Sequence, residues 1–151
     1  FFMQNLTGIH AHEIRTQNEI LIPAGRIRMS FIDARDSGSI AAQTLLEPEP
    51  HANQVYTLTG PEALTYYEVA TRLRQTLGRP IRYRAPSWLR FVITMLRRGI
   101  PLNYLVVMIG LYAASRFNPP DEVTPTTAQL LGRPPTTFAE FARREQEIWL
   151  A

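Results

Sequence analysis

PAGRIRMSFIDARDSGSI (residues 23–40) and VYTLTGPEALTYYEVATRLRQTLGRPIRYRA (residues 55–85) decide how this chain folds. They read as strand, helix, strand, helix, strand, joined by short turn-forming segments, which is the alternation of an α/β domain. In residues 26–34, Met29, Phe31 and Asp33 alternate with Ser30, Ile32 and Ala34. Asp36 is expected to cap a helix over 37–46 by accepting from its first free amides, with Asp33 anchoring the turn before it. Residues 54–59 are β-branched and aromatic enough for a short strand that Gly60-Pro61 breaks. Thr65 and Glu68 then form a capping box, opening a helix whose apolar face is Tyr66, Val69, Ala70, Leu73 and Leu77. Gly78 supplies its left-handed stop and Pro80 prevents resumption. In 81–85, Ile81, Tyr83 and Ala85 point one way and Arg82 and Arg84 the other.

The flanks are read from the same signals. FFMQNL (1–6) opens the chain, followed by a polar loop or short helix at 10–18 and an extended segment at 19–22. After Pro86 the chain turns helical: 88–98, then an almost uniformly apolar helix over 102–114. A linker follows at 118–120. Thr124 is placed as the cap of a short helix with Pro125 at its first position. Thr137 and Glu140 form a second capping box, opening one final helix with Phe138, Phe141, Ala142, Ile148 and Trp149 inward.

Composition excludes several chemistries. With no cysteine in 151 residues, disulfides, thiol catalysis and cysteine-ligated zinc are impossible. All sixteen basic residues are arginine, so there is no lysine for a Schiff base, a general base or a phosphate-binding P-loop. No two of the eight glycines lie closer than eleven residues apart, so no glycine-rich phosphate loop exists here. Residue 1 is Phe and no signal-peptide pattern opens the chain, which is read as a fragment of a cytoplasmic protein.

The remaining candidates reduce to ordinary structure. The uncharged helix over 102–114 would be about 20 Å long against a hydrocarbon core of about 30 Å, so it is expected as a buried core helix or the apolar wall of a cleft, and no membrane partner is expected. Eight arginines and no acid lie between Arg72 and Arg98, read as solvated faces offset by acids elsewhere, with no nucleic-acid partner. His10 and His12 lack a third metal ligand at recognisable spacing and are read as surface histidines. Tyr112 has Arg116 four residues on, where a short-chain reductase would place the lysine that lowers the tyrosine pKa.

FFMQN at 1–5, PAG at 23–25, SFIDARD at 30–36, YTLTGPEALT at 56–65, LGRPIRY at 77–83 and LLGRPPTTFAEFA at 130–142 together resemble the NmrA-like, atypical short-chain dehydrogenase/reductase proteins that bind NAD(P). The ordered set spans nearly the whole chain. The resemblance implies an α/β architecture: the C-terminal part of a Rossmann-like fold plus a small, mostly helical substrate-covering subdomain. It implies a division into residues 1–85, carrying the last strands and helices of the nucleotide-binding domain with interleaved substrate-subdomain segments, and 86–151, the helical cover.

The family's FFMQN-like segment lies beside the nicotinamide. That carries Phe2 and Met3 over as cofactor-binding residues and Asn5 as a substrate-binding residue, with no catalytic residue and no metal site assigned. The implied activity is NAD(P)H-dependent reduction of a quinone-like or other electron-poor small molecule, with hydride passing directly from the nicotinamide. A non-catalytic NAD(P)-sensing regulator that binds a protein partner is the alternative. The missing N-terminal half of the domain is the first partner expected, and a homo-oligomer is compatible with the reading. Where relatives continue the Arg-Asp pair with aliphatic residues, this chain has Ser37-Gly38-Ser39, a weaker helix start.

Overall fold

The computed structural model of the chain describes residues 1–117 and 119–151, so the 118–120 linker lies partly outside the described residues, at Asn118. After a 3-10 turn at Met3–Leu6 come α1 (Ala11–Gln17), β1 (Glu19–Ile20), β2 (Met29–Ser30) and α2 (Ala34–Leu46). β3 (Ala63–Leu64), α3 (Tyr66–Leu77) and β4 (Arg82–Tyr83) follow. The last third is α4 (Trp88–Arg97), α5 (Leu102–Phe117), α6 (Thr126–Leu131), α7 (Phe138–Glu145) and α8 (Glu147–Leu150).

The strands are short, and their pairing shows how the chain is threaded. β1 runs parallel to β4, with Glu19 opposite Arg82, and β2 runs antiparallel to β3, with Met29 opposite Leu64. An isolated parallel bridge joins Phe2 to Ile32. Helices cover this extended layer: α3 packs on β4 and α7, α1 on α8, α2 on α6, and α4 on α5. Residues 29–33 are all buried, so the alternation seen in the sequence does not separate an inner from an outer face. A segment covered on both sides loses that period.

α3 follows its sequence closely. The Thr65–Glu68 box is formed, Gly78 is left-handed at φ 63°, and the buried face is Tyr66, Val69, Ala70, Leu73 and Leu77. The Thr137–Glu140 box opens α7 in the same way. Five other expectations are corrected. Asp33, not Asp36, caps α2 by accepting from the Arg35 amide at 2.9 Å, and the helix starts at Ala34. Asp36 lies in the first turn, 1% exposed, accepting from the Arg133 guanidinium and the Thr136 amide, both at 2.6 Å.

No strand forms over 54–59, because its polar groups bond to threonine side chains instead. Thr127 Oγ1 accepts from the Thr59 amide at 2.9 Å, and Thr124 Oγ1 donates to the Thr57 carbonyl at 2.8 Å. That second bond also removes Thr124 from its expected role, and α6 has Pro125 as its N-cap without a side-chain bond. The final helix is two helices divided at Gln146, which leaves Ile148 38% exposed while Trp149 is buried. The fifth correction is α5. It buries Leu105, Met108, Tyr112 and Ser115 and leaves its other faces in solvent, so it is not enclosed in the core.

Candidate functional site

The first five residues are fastened to the start of α2. The Met3 amide donates to the Ile32 carbonyl and the Ile32 amide to the Phe1 carbonyl, both at 2.9 Å. Gln4 closes the junction from both ends of its amide, donating to Asp33 Oδ1 at 2.6 Å and accepting from the Ala34 amide at 2.9 Å. Asp33 Oδ2 receives the Arg144 guanidinium at 2.6 Å. Burial pushes the Asp33 carboxyl up, but the Arg35 amide, Arg144 and Gln4 together outweigh it and hold the pKa below the usual carboxylate range. The turn is therefore pinned to an ionised, fully buried carboxylate.

On this support Phe2 stands 48% exposed, Met3 points into the core with no exposure, and Asn5 is exposed. Asn5 lines a cavity of about 80 Å³ with Phe1 and Ile9 on one side and Tyr104, Met108, Leu111 and Tyr112 of α5 on the other. Only Asn5 and the two tyrosines bring polar side-chain atoms to this wall. Small-molecule sites usually enclose roughly 300–1,000 Å³, so this cavity by itself is too small to hold such a ligand. A larger surface hollow of about 380 Å³ lies between α3 and α7, lined by Arg72, Gln75, Thr76 and Arg143 among others. It is polar, distant in the chain from the first turn, and its Arg72 is already engaged by Glu62.

His10 is not a surface histidine. It is 1% exposed, and its Nε2 lies 2.7 Å from the Tyr112 hydroxyl. Burial, reinforced by the nearby Arg98 charge, lowers its pKa to about 3, and burial, with a smaller contribution from Tyr104, raises that of Tyr112. Both groups are neutral over the ordinary pH range, so the bond ties the first turn to α5 without a charge. His10 Nδ1 has no partner among the described residues. Residue-type spacing could not reveal this pair, which is 102 positions apart. The one available signal was that Leu105, Met108 and Tyr112 recur at helical spacing, which places Tyr112 on the buried stripe.

The basic stretch is largely absorbed. Arg90 pairs with Glu19 at 2.8 Å and Arg98 with the buried Glu13 at 2.9 Å. Arg79 donates to the carbonyls of Ile14, Arg15 and Trp149. No group of three metal-ligating side chains occurs among the described residues. Helices α2, α3, α4 and α7 open on the side chains of Asp33, Thr65, Ser87 and Thr137 rather than on a glycine turn. These four capped termini offer no glycine-opened set of free amides for a dinucleotide pyrophosphate.

No family model matches the chain. It is 42% identical over 146 residues to the NAD(P)H azoreductase of Xenophilus azovorans, covering 95% of this chain and 49% of that protein. It is 31% identical over 150 residues to an uncharacterised oxidoreductase of Bacillus subtilis (strain 168), covering 99% of this chain and 52% of that protein. Among solved structures, the NADPH-dependent quinone oxidoreductase of Escherichia coli superposes with a TM-score of 0.85 at 22% identity, over 95% of this chain and 52% of the other. The Citrobacter sp. triphenylmethane reductase complexed with NADP(H) superposes with a TM-score of 0.83 at 19% identity, over 96% of this chain and 50% of the other. The chain has the α/β, Rossmann-like fold of these reductases and spans about half the length of the curated relatives it matches.

Proposed function

We propose that the chain is the C-terminal part of an NmrA-like, atypical short-chain reductase that uses NAD(P)H to reduce a quinone-like or other electron-poor small molecule in the cytoplasm. The observation that carries the reading is the small, mostly apolar cavity between Asn5 and α5, with the His10–Tyr112 bond beside it. Similarity to an NAD(P)H azoreductase over nearly the whole chain supports the cofactor and the acceptor class. The capped starts of α2, α3, α4 and α7 do not suit a pyrophosphate, and no nucleic acid is required. Within the proposal, residues 1–85 carry the end of the nucleotide-binding layer and 86–151 the helical cover. α4 and α5 do the covering, because α7 and α8 pack back onto α3 and α1.

The chain's own residues orient and enclose. Phe2, whose ring is exposed, would lie at the nicotinamide end of a bound cofactor, and the Met3 amide fastens that turn to the Ile32 carbonyl while its side chain fills the core. Asn5 offers an amide that can donate to an acceptor carbonyl. The apolar side chains of α5 exclude water, which strengthens that hydrogen bond. In the intact protein, Asn5→Ala is expected to lower kcat/KM for the acceptor about tenfold or more, the worth of one hydrogen bond to a polarised group, while leaving the Kd for NAD(P)H within twofold. Steady-state kinetics beside fluorescence titration of the cofactor decide it. Equal losses in both measurements, or none in either, would remove Asn5 from the site.

A further inference from the structure

We propose that the Tyr112 hydroxyl, held by His10, donates a hydrogen bond to a carbonyl oxygen of the acceptor molecule. The proposal rests on the reductase reading and adds a second polar contact to it. His10 Nε2 lies 2.7 Å from the Tyr112 hydroxyl, and the two residues are 1% and 5% exposed. His10 is neutral, so its ring carries one hydrogen, and the phenol carries another. A single bond between the two groups uses only one of these hydrogens. The other sits either on His10 Nδ1 or on Tyr112, and neither group has a further partner among the described residues. On Nδ1 it would be a buried N–H with no acceptor, a costly arrangement that folded proteins rarely keep. On Tyr112 it has an outlet, because Tyr112 lines the cavity beside Asn5 and His10 does not. Nε2 therefore donates to the Tyr112 oxygen, and the Tyr112 hydrogen is left for an acceptor atom in the cavity.

The surroundings fix the ring. Phe1 stacks on Tyr112 with centroids 6.2 Å apart, and Phe91 meets it edge-on at 5.9 Å. The His10 amide donates to the Asn5 carbonyl at 3.2 Å, so Asn5 and the imidazole that holds Tyr112 belong to one turn. Tyr104, the other tyrosine of this wall, is 53% exposed and has solvent for its hydroxyl, which Tyr112 lacks. No cation lines the cavity, so the wall suits a neutral carbonyl oxygen rather than a carboxylate or a phosphate. About 80 Å³ is room for a few atoms, the carbonyl end of a molecule rather than the whole of it. Arg116, four residues on, bears on Tyr83 and not on Tyr112, so no cation lowers this phenol's pKa as the lysine of a short-chain reductase would. Burial instead holds Tyr112 above the ordinary tyrosine range. The hydroxyl thus stays protonated, keeps its hydrogen, and stabilises negative charge as it develops on the carbonyl oxygen.

Menadione, a naphthoquinone, is the probe, used with the intact protein. Tyr112→Phe keeps the ring and its stacking and removes only the hydroxyl. It is expected to lower kcat/KM for menadione about tenfold or more, the worth of one hydrogen bond to an oxygen gaining charge, with the Kd for NAD(P)H within twofold. The carbonyl stretch of bound menadione, read by infrared difference spectroscopy, should move to higher frequency in the variant, a change that a merely structural hydroxyl would not produce. In nitrogen NMR of the unaltered protein, His10 is expected to carry its hydrogen on Nε2. A hydrogen on Nδ1, an unshifted carbonyl band, an unchanged kcat/KM, no binding of menadione, or equal losses for acceptor and cofactor would overturn the proposal. Should Tyr112→Phe fail to fold, the His10 tautomer still decides it. A protein that binds menadione with the shifted band yet reduces no acceptor would end the reductase reading and leave the Tyr112 contact standing, so the two failures are separate results.

Discussion

Gly60 shows how much one residue decides. A Cβ built on it falls on the Phe31 carbonyl, so any side chain forces the buried 29–33 segment to move. In the intact protein Gly60→Ala is expected to cost about 3 kcal/mol, the upper end for overpacking a tight site, read as a drop in the urea midpoint at unchanged m. Asp33 combines three tasks, capping α2, accepting from Gln4 and pairing with Arg144. Asp33→Ala removes the α2 cap and the acceptor of Gln4, leaves Arg144 with Glu145 as its remaining carboxylate, and should cost about 2 kcal/mol. Its depressed pKa adds stability that is present above the unfolded value of about 3.9 and is lost as pH falls through the lower folded value. His10 acts earlier on the same acid limb. Unfolded histidine takes up a proton near 6.5, whereas folded His10 does so only at about 3. Between those values the unfolded state binds more protons, so stability falls as pH drops, by at most about 1.4 kcal/mol per unit. Chemical denaturation from pH 7 to pH 4 should show that slope, and His10→Gln should flatten it. A His10 imidazole titrating near 6.5 by NMR in the folded protein would contradict the assignment.

At the scale of elements, legibility tracks how local the determining forces are. α3 is readable from start to stop because its capping box, apolar face and left-handed glycine all lie within fourteen consecutive residues, Thr65 to Gly78. Glu68→Ala opens the box and should cost about 1 kcal/mol, whereas Leu73→Ala, on the fully buried face, should cost about 2–5 kcal/mol. Thermal melts of the two variants, made in the intact protein, must separate in that order. Residues 54–59 illustrate the opposite case. Their β propensity is real, but a strand needs a neighbouring strand, and the groups that reach this backbone are threonines more than sixty positions away. Asp33 and Asp36 are both structural, as their spacing implies, with their roles exchanged. Either aspartate could have capped a helix locally, and the choice is made by Arg133, Arg144 and Gln4, none of which is near in sequence.

Over the whole molecule, the described strands form two separate pairs, each with outer backbone edges that no described strand covers. Such edges invite pairing with another chain. The chain by itself is therefore expected to self-associate or to melt without a sharp transition, and not to bind NAD(P)H at micromolar concentration. Sedimentation velocity and calorimetry check both expectations. A monomer that melts cooperatively and binds the cofactor would sink the proposal that the chain is the C-terminal part of an NmrA-like reductase.

The amino-acid sequence alone determined the α/β alternation, the two capping boxes, the apolar face of α3, the absence of thiol and lysine chemistry, and the absence of a glycine-rich loop. These are statements about residue type and spacing within one or two turns of chain, where caps and periodicity act. Only the tertiary structure decided that His10 is buried against Tyr112, that Asp33 rather than Asp36 caps α2, that residues 54–59 are held by threonines, and that half of α5 faces outward. Each depends on a partner at least twenty-nine positions away or on which side of an element is left uncovered. Hydrophobicity pulls a side chain toward any apolar cover, and the sequence of α5 does not say where that cover ends.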